Sequence, residues 1–437
     1  MVGRTSPPGA RPFPDAGRVR FTIPRWSLAV ITLIAAIALL WAILGKPILQ
    51  AVIQGLVVGS IYVLGASGLS LTYGIKKFAN FAHGDLMTVG AYAAFTMNIV
   101  LGQNILVGFA FAIVTVALLG ILLELSIFRR LEGRGPVSAL IASVGVSLVL
   151  QNVLSAIFTT NVLYLGVNLP PDVPLGATGL SFNVVKGGVT LAVSAGFIVF
   201  LHVMLTYTTL GKAMRACADD LDLARTSGIN TRNVILWTWI ISGAFAAVAG
   251  VLLAIIVNVF PLLGFFVLLF IFAAVIIGGI GSPYGAMIGG LIIGIVQKVS
   301  NVVFGVTQNV PIPTIIIPAT VAVAVGAMGT LAISESTLSR IHLTTSRASL
   351  VIRLGFAFLF AAGIAGWVAG IVLRPPPLGV FRIEGGAEYE PVGAFIVMIV
   401  VLLFLPEGLM GVRRHSMGGR FAGLRVVRRS TEVKEPG

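Results

Sequence analysis

Polar side chains able to do chemistry are scarce in this sequence, and most of them fall in a few short runs. Asn80-Phe-Ala-His83-Gly84-Asp85 gathers an amide, an imidazole and a carboxylate directly after Lys76 and Lys77. Ser143, Ser147 and Gln151 recur every fourth residue, so on a helix they share one face, with Asn152 beside them. Neutral hydrogen-bonding groups of this kind suit the passage of a polar solute through lipid without a strongly charged trap. Bonding between helices, worth about 0.6 kcal/mol each, is the alternative role. In the first run, Asn80, His83 and Asp85 either line a pathway or its gate, with Gly84 allowing close helix approach, or only start a helix, Asn80 as its cap and Asp85 against its dipole.

Other chemistries are excluded by what the sequence omits. It holds no G-x-x-x-x-G-K-[ST], H-E-x-x-H or G-x-S-x-G, so a P-loop nucleotide site, a zincin site and a nucleophile elbow are not expected. The four histidines (His83, His202, His342, His415) are scattered, and one cysteine, Cys217, makes neither a disulfide nor a cysteine metal cluster. No catalytic residue, metal site or cofactor is expected. Within apolar spans the acids are Asp85 and Glu124, and Glu124 is expected to pair with Arg129 or Arg130 at the inner surface. That scarcity speaks against an ion-coupled engine.

The elements that must position these residues follow from composition. Of 437 residues 57% are hydrophobic and 10% charged, with a mean hydropathy of +1.04. No water-soluble fold of this size hides so much apolar surface, and its apolar stretches of about 20 residues match ~30 Å of hydrocarbon. An all-α polytopic transmembrane helix bundle of about 10–12 spans follows, since lipid leaves no water for open backbone. The spans are read at 27–45, 48–73, 79–101, 104–128, 137–158, 188–208, 234–257, 263–281, 283–304, 313–333, 354–373 and 391–406. Placing the N-terminus inside puts all but Lys46, Lys186, Lys298, Arg374 and Arg382 of the 29 basic residues on the inner side. The net charge of +14 therefore speaks of membrane orientation and anionic lipid, not nucleic acid. Trp237 and Trp239 read as interface anchors.

Two further runs have mechanical readings. Leu210–Arg232, LGKAMRACADDLDLARTSGINTR, predicts one amphipathic inner-surface helix of about four turns, capped by Thr209 and ended at Gly228. Met214, Cys217, Ala218, Leu221 and Ala224 form its apolar face, and Arg215–Asp219 and Asp222–Arg225 are expected to pair. Gly211 belongs to the same element. A small-faced, mixed-charge helix suits a protein groove better than headgroups, and with no nucleotide site in the chain it suggests contact with a separate ATPase. Gly281, Gly285 and Gly289, spaced by four, allow backbone-to-backbone helix packing, and Pro283 suits a turn or first helical position. A broken helix whose backbone meets a carboxylate is the second reading of that run.

These runs resemble permeases of branched-chain amino-acid ABC importers, the LivH/LivM group, on the LivH side. The resemblance rests on YGIKKFANFAHGD (Tyr73–Asp85), GKAMRACADDLDLARTSGIN, GGIGSPYGAMIGGLIIGI (Gly278–Ile295) and FIVMIVVLLFLPEGLMG (Phe395–Gly411), in family order. It implies a permease core at 47–306 completed by a last core helix at 393–411. Outside it stand a disordered basic tail (1–26), an extra span (27–46), an inserted transmembrane hairpin with its outer loop (307–392) and a basic tail (412–437). Asp85 stands where glutamate is common in relatives. The resemblance implies residence in a prokaryotic cytoplasmic membrane. It also implies three kinds of partner: a second, homologous or identical permease, two cytoplasmic P-loop ATPases and an extracytoplasmic binding protein. The run 210–228 would be the ATPase-coupling element, and urea or short amides are alternative cargoes. Outside the resemblance stand an ion-coupled transporter or channel and a membrane enzyme using His83 and Asp85.

Overall fold

The computed structural model describes residues 45–167, 170–174, 180–305 and 390–404, with isolated positions at 37, 38, 41, 355, 361–363, 408 and 409. The span read at 313–333, nearly all of those at 27–45 and 354–373, and both tails lie outside the described residues.

Apolar sequence in lipid must satisfy its backbone within the segment, and the described chain does so with helices. They are α1 (Lys46–Lys76), α2 (Ala82–Phe95), α3 (Ile105–Ser126), α4 (Pro136–Phe158), α5 (Thr190–Tyr207), α6 (Thr209–Asp219), α7 (Leu221–Thr226), α8 (Thr231–Ile256), α9 (Leu263–Gly278), α10 (Pro283–Gly305) and α11 (Glu390–Phe404). Among the described residues six helical stretches are long and apolar enough to cross a membrane: Lys46–Lys76, Ile105–Leu131, Pro136–Phe158, Val184–Tyr207, Thr231–Ile256 and Pro283–Val302. The span read at 79–101 is α-helical only over α2 and continues as a π-helical turn, Thr96–Val100. The chain is an all-α polytopic bundle.

Small residues set how closely these helices cross. A Cβ on Gly55 of α1 would lie 2.6 Å from Ile295 Cα of α10, and one on Gly290 would lie 2.7 Å from Val63 N. A Cβ on Gly90 of α2 would meet Ala247 Cα of α8 at 2.7 Å, and Gly84 and Gly264 bring α2 against α9 with no room for a side chain. Gly285 and Gly289 likewise press on Gly278 and Ala274 of α9, whereas Gly281, the third glycine of that run, holds a turn at φ +85° with nothing nearer than 3.7 Å. Pro283 is the first residue of α10, and Ser282 Oγ accepts from Gly285 N at 3.2 Å.

The bundle has a basic end and an opposite end. At the opposite end a two-stranded antiparallel ribbon, Val173–Pro174 with Ser181–Phe182, lies in the segment between α4 and α5. Gln50 clasps it, donating to Ser181 O at 2.8 Å and accepting from Ser181 N at 3.1 Å. At the basic end Phe128 stacks between Phe78 and Trp239, both at 5.1 Å. This corrects the anchor reading of Trp239, which is 1% exposed, whereas Trp237 is half exposed.

Candidate functional site: a polar layer and a basic-end corner

The polar layer forms where the first turn of α2 meets the serine face of α4. Asp85 is fully buried, and both its oxygens accept bonds from α4: Ser147 Oγ donates to Oδ2, and Gln151 Nε2 donates to Oδ1 at 3.0 Å. Gln151 Nε2 also reaches Ser147 Oγ at 3.2 Å. One turn below, Ser143 Oγ accepts from Phe81 N at 3.0 Å and donates to Leu140 O at 2.7 Å. Every fourth-residue spacing thus places Ser143, Ser147 and Gln151 on the face that covers the start of α2.

Two of the expected residues stand apart. Asn152 is exposed, its Nδ2 donating to Leu148 O at 2.7 Å on its own helix. His83 is buried and turns to α1, its Nε2 lying 2.9 Å from Gly65 O. Since a carbonyl only accepts, Nε2 carries the proton there. Asn80 is also buried, and its Oδ1 accepts from Ala82 N at 3.1 Å in a turn that opens α2. Phe81, not Asn80, holds the cap position of α2 and offers no side-chain cap.

The sequence reading missed further buried polar contacts. Thr88 Oγ1 accepts from Gly264 N at 2.9 Å, Ser242 Oγ donates to Gly68 O at 2.8 Å, and Tyr62 donates to Gln297 Oε1 at 2.6 Å. Thr88 and Ser242 are single polar residues between apolar neighbours, and no repeat spacing marks any of these positions. Among the described residues no group of three His, Cys, Asp or Glu side chains is placed to hold a metal ion.

The basic-end corner departs from a single helix. Thr208, not Thr209, caps α6 by accepting from Gly211 N at 3.0 Å. At Asp220 the backbone becomes extended (φ −152°, ψ 114°), and its Oδ1 accepts from Asp222 N at 3.0 Å and Leu223 N at 2.9 Å. An aspartate bonded to the next turn's free N–H groups is a helix cap, so it ends α6 and starts α7. Gly228 closes the corner at φ +84°.

Met214, Cys217 and Ala224 are buried against the bundle, Ala218 and Leu221 are half-buried, and Gly211 packs on the backbone of Met204 and Leu205. The outer side carries Lys212, Arg215, Asp219 and Leu223, the last 65% exposed. The corner is pinned by Lys77 Nζ, which donates to Ala218 O at 2.6 Å. The anticipated Arg215–Asp219 and Asp222–Arg225 pairs are not formed: Arg225 Nε instead reaches Thr231 Oγ1 at 3.5 Å. Among the described residues the salt bridges are those of Lys76, with Glu124 and Glu132 at 2.7 Å each. Glu124 therefore pairs across to α1 and not with Arg129 or Arg130, because a buried carboxylate takes the cation that is buried with it.

Residues 51–317 match the family model described as "Branched-chain amino acid transport system / permease component". The chain belongs to that permease family. Its permease relatives include the high-affinity branched-chain amino acid transport system permease protein BraD of Pseudomonas aeruginosa, 35% identical over 59% of this chain and 87% of the relative. The corresponding protein LivH of Escherichia coli K12 is 36% identical over 58% of this chain and 86% of the relative. A more distant permease, the fructose import permease protein FrcC of Rhizobium meliloti, is 26% identical over 49% and 73%. No solved structure matches. The polar layer and the α6–α7 corner both lie inside the permease match, whereas α11 lies beyond it.

Proposed function

We propose that this chain is the membrane-spanning permease subunit of an ATP-driven importer for branched-chain amino acids, sitting multi-pass in a prokaryotic cytoplasmic membrane with its basic end inside. The observation that carries this reading is the likeness to branched-chain permeases over 86–87% of their length. ATP would be hydrolysed by two separate P-loop subunits, and a second permease and an extracytoplasmic binding protein would complete the assembly. The α6–α7 corner would be the part the ATPases push. Leu223 on α7 and Lys212 and Arg215 on α6 are exposed there, giving the corner both apolar and charged side chains to offer a partner. The polar layer of Asp85, Ser147 and Gln151, with Ser143 below, would lie along or next to the route of the solute.

His83 and Asp85 bond to different helices, α1 and α4, which supports the transport reading over a membrane enzyme built on that pair. The test is reconstitution of the full complex in liposomes, with ATP-dependent leucine, isoleucine and valine uptake measured. Leu223→Asp and Leu221→Asp are each expected to abolish ATP-stimulated uptake while the protein stays folded and in the membrane. Uptake that survives both, or that runs on an ion gradient with no ATPase present, overturns the proposal in favour of a secondary transporter. Uptake of urea or a short amide in place of these amino acids would keep the class and change the cargo.

A further inference from the structure

Beside the corner, a cavity of about 270 Å³ opens at the basic end between the end of α3, the short 3₁₀ turn that follows it (Phe128–Leu131), and the α7–α8 junction. Arg129, Arg225 and Arg232 line it, with Asn230 and Thr231 at the start of α8. Two carboxylates also line it: Glu124 and Glu132 each give one oxygen to Lys76 at 2.7 Å, and Glu124 Oε2 has no hydrogen-bond partner among the described residues. None of the three guanidinium groups has a carboxylate within salt-bridge distance among the described residues. The three exposed arginines outnumber the two carboxylates lining this space, and with the N-terminus of a 26-residue helix beside them they favour an anion there. Leu125 and Leu236 form an apolar wall on the same cavity, and half-exposed Trp237 follows on α8.

An anion site with an apolar flank at the membrane-surface level of a bundle suits a phosphodiester that carries its own hydrocarbon. We infer that this cavity holds the headgroup of an anionic phospholipid, its phosphate on Arg129, Arg225 and Arg232 and its acyl chains along Leu125 and Leu236. A bound headgroup would tie α3 to the α7–α8 junction, and so hold the α6–α7 corner at a fixed height on the bundle. The inference rests on the proposed function only for naming the leaflet. The binding itself needs neither ATPase nor cargo, so it stands or falls separately from the transport reading.

The experiment is native mass spectrometry of the full chain released from nanodiscs of equal phosphatidylglycerol and phosphatidylcholine. Phosphatidylglycerol adducts are expected to dominate, and each of Arg129→Gln, Arg225→Gln and Arg232→Gln is expected to lower their retention about fivefold. Arg134→Gln, which removes an exposed arginine from the same end outside the cavity, is expected to leave retention unchanged. Single variants keep the test open where the triple variant does not fold. Retention unaltered in all three, or lost equally in Arg134→Gln, overturns the site. Displacement of the lipid by millimolar inorganic phosphate would show an ion site in place of a lipid site, and displacement by millimolar leucine would show an amino-acid site; either overturns the inference.

Discussion

Gln151 Nε2 donates to Asp85 Oδ1 at 3.0 Å, joining the middle of α4 to the first turn of α2. With Ser147 on the other oxygen, one carboxylate accepts from a hydroxyl and an amide of α4 that are both buried. Replacing Asp85 by Leu removes both acceptors, taking the carboxylate partner from the buried Ser147 hydroxyl and leaving the Gln151 amide only its 3.2 Å contact with Ser147 Oγ. The expected cost is about 1–3 kcal/mol for each stranded donor. The double change Asp85→Leu with Gln151→Leu is expected to recover part of it, because the stranded amide leaves with its partner. Thermal unfolding in mild detergent reads both. A Gln151→Leu single variant as unstable as Asp85→Leu would show that the amide, and not the carboxylate, organises the layer.

A second relationship lies at the basic end, where Lys76 bridges Glu124 and Glu132. Lys76 and Glu124 side chains are 8% and 3% exposed, so neither charge has water to fall back on. Lys76→Met leaves Glu124 buried without a cation, a loss of about 3–5 kcal/mol. Lys76→Met combined with Glu124→Leu is expected to restore most of that loss, since replacing a buried pair by apolar groups is close to neutral. A double-mutant cycle on the same melting assay checks it, and additive losses would show that the two charges act independently.

What the sequence reveals follows from the range of each signal. The face of Ser143, Ser147 and Gln151 was legible because a four-residue repeat is local, and the helices of the core were legible because apolar length is local too. The partners were not. Glu124 stands near Arg129 in the chain, yet pairs with Lys76 on another helix, and no spacing rule reaches that far. The single helix expected over this run passes through Asp220, a residue that fits a polar helix face as well as a cap. Only the extended backbone at Asp220 decides between them. Asn152 sits one residue from Gln151, and the 100° step between neighbours on a helix turns it outward.

The crossing of α2 on α9 gives a prediction about packing. A Cβ at Gly264 would overlap the Gly84 carbonyl and come within 2.6 Å of Thr88 Oγ1. Gly264→Val is therefore expected to push the two helices apart, break the Gly264 N–Thr88 bond and cost more than the ~1–3 kcal/mol of ordinary overpacking. Gly196→Ala, where nothing lies within 4 Å, is expected to stay within about 0.5 kcal/mol of the parent. Size-exclusion profiles after membrane extraction separate the two, and a monodisperse Gly264→Val protein of parental stability would refute the crossing.

Cys217 supplies a chemical probe of the corner. Its side chain is 1% exposed on the inward side of α6, and burial pushes its thiol pKa above the ordinary value. A raised pKa means less thiolate at any given pH, and the thiolate is the reactive form. In the folded protein maleimide labelling at pH 7 is therefore expected to be slow, and to rise with pH only beyond the range where an exposed thiol has already ionised. Denaturation in SDS should make Cys217 fully reactive. A cysteine at the tip, Leu223→Cys in a Cys217→Ala background, should label rapidly in the folded state, as its 65% exposure requires. Mass spectrometry of the adducts reads both rates. Folded-state labelling of Cys217 as fast as at position 223 would mean that α6 does not pack its Met214–Cys217 face on the bundle.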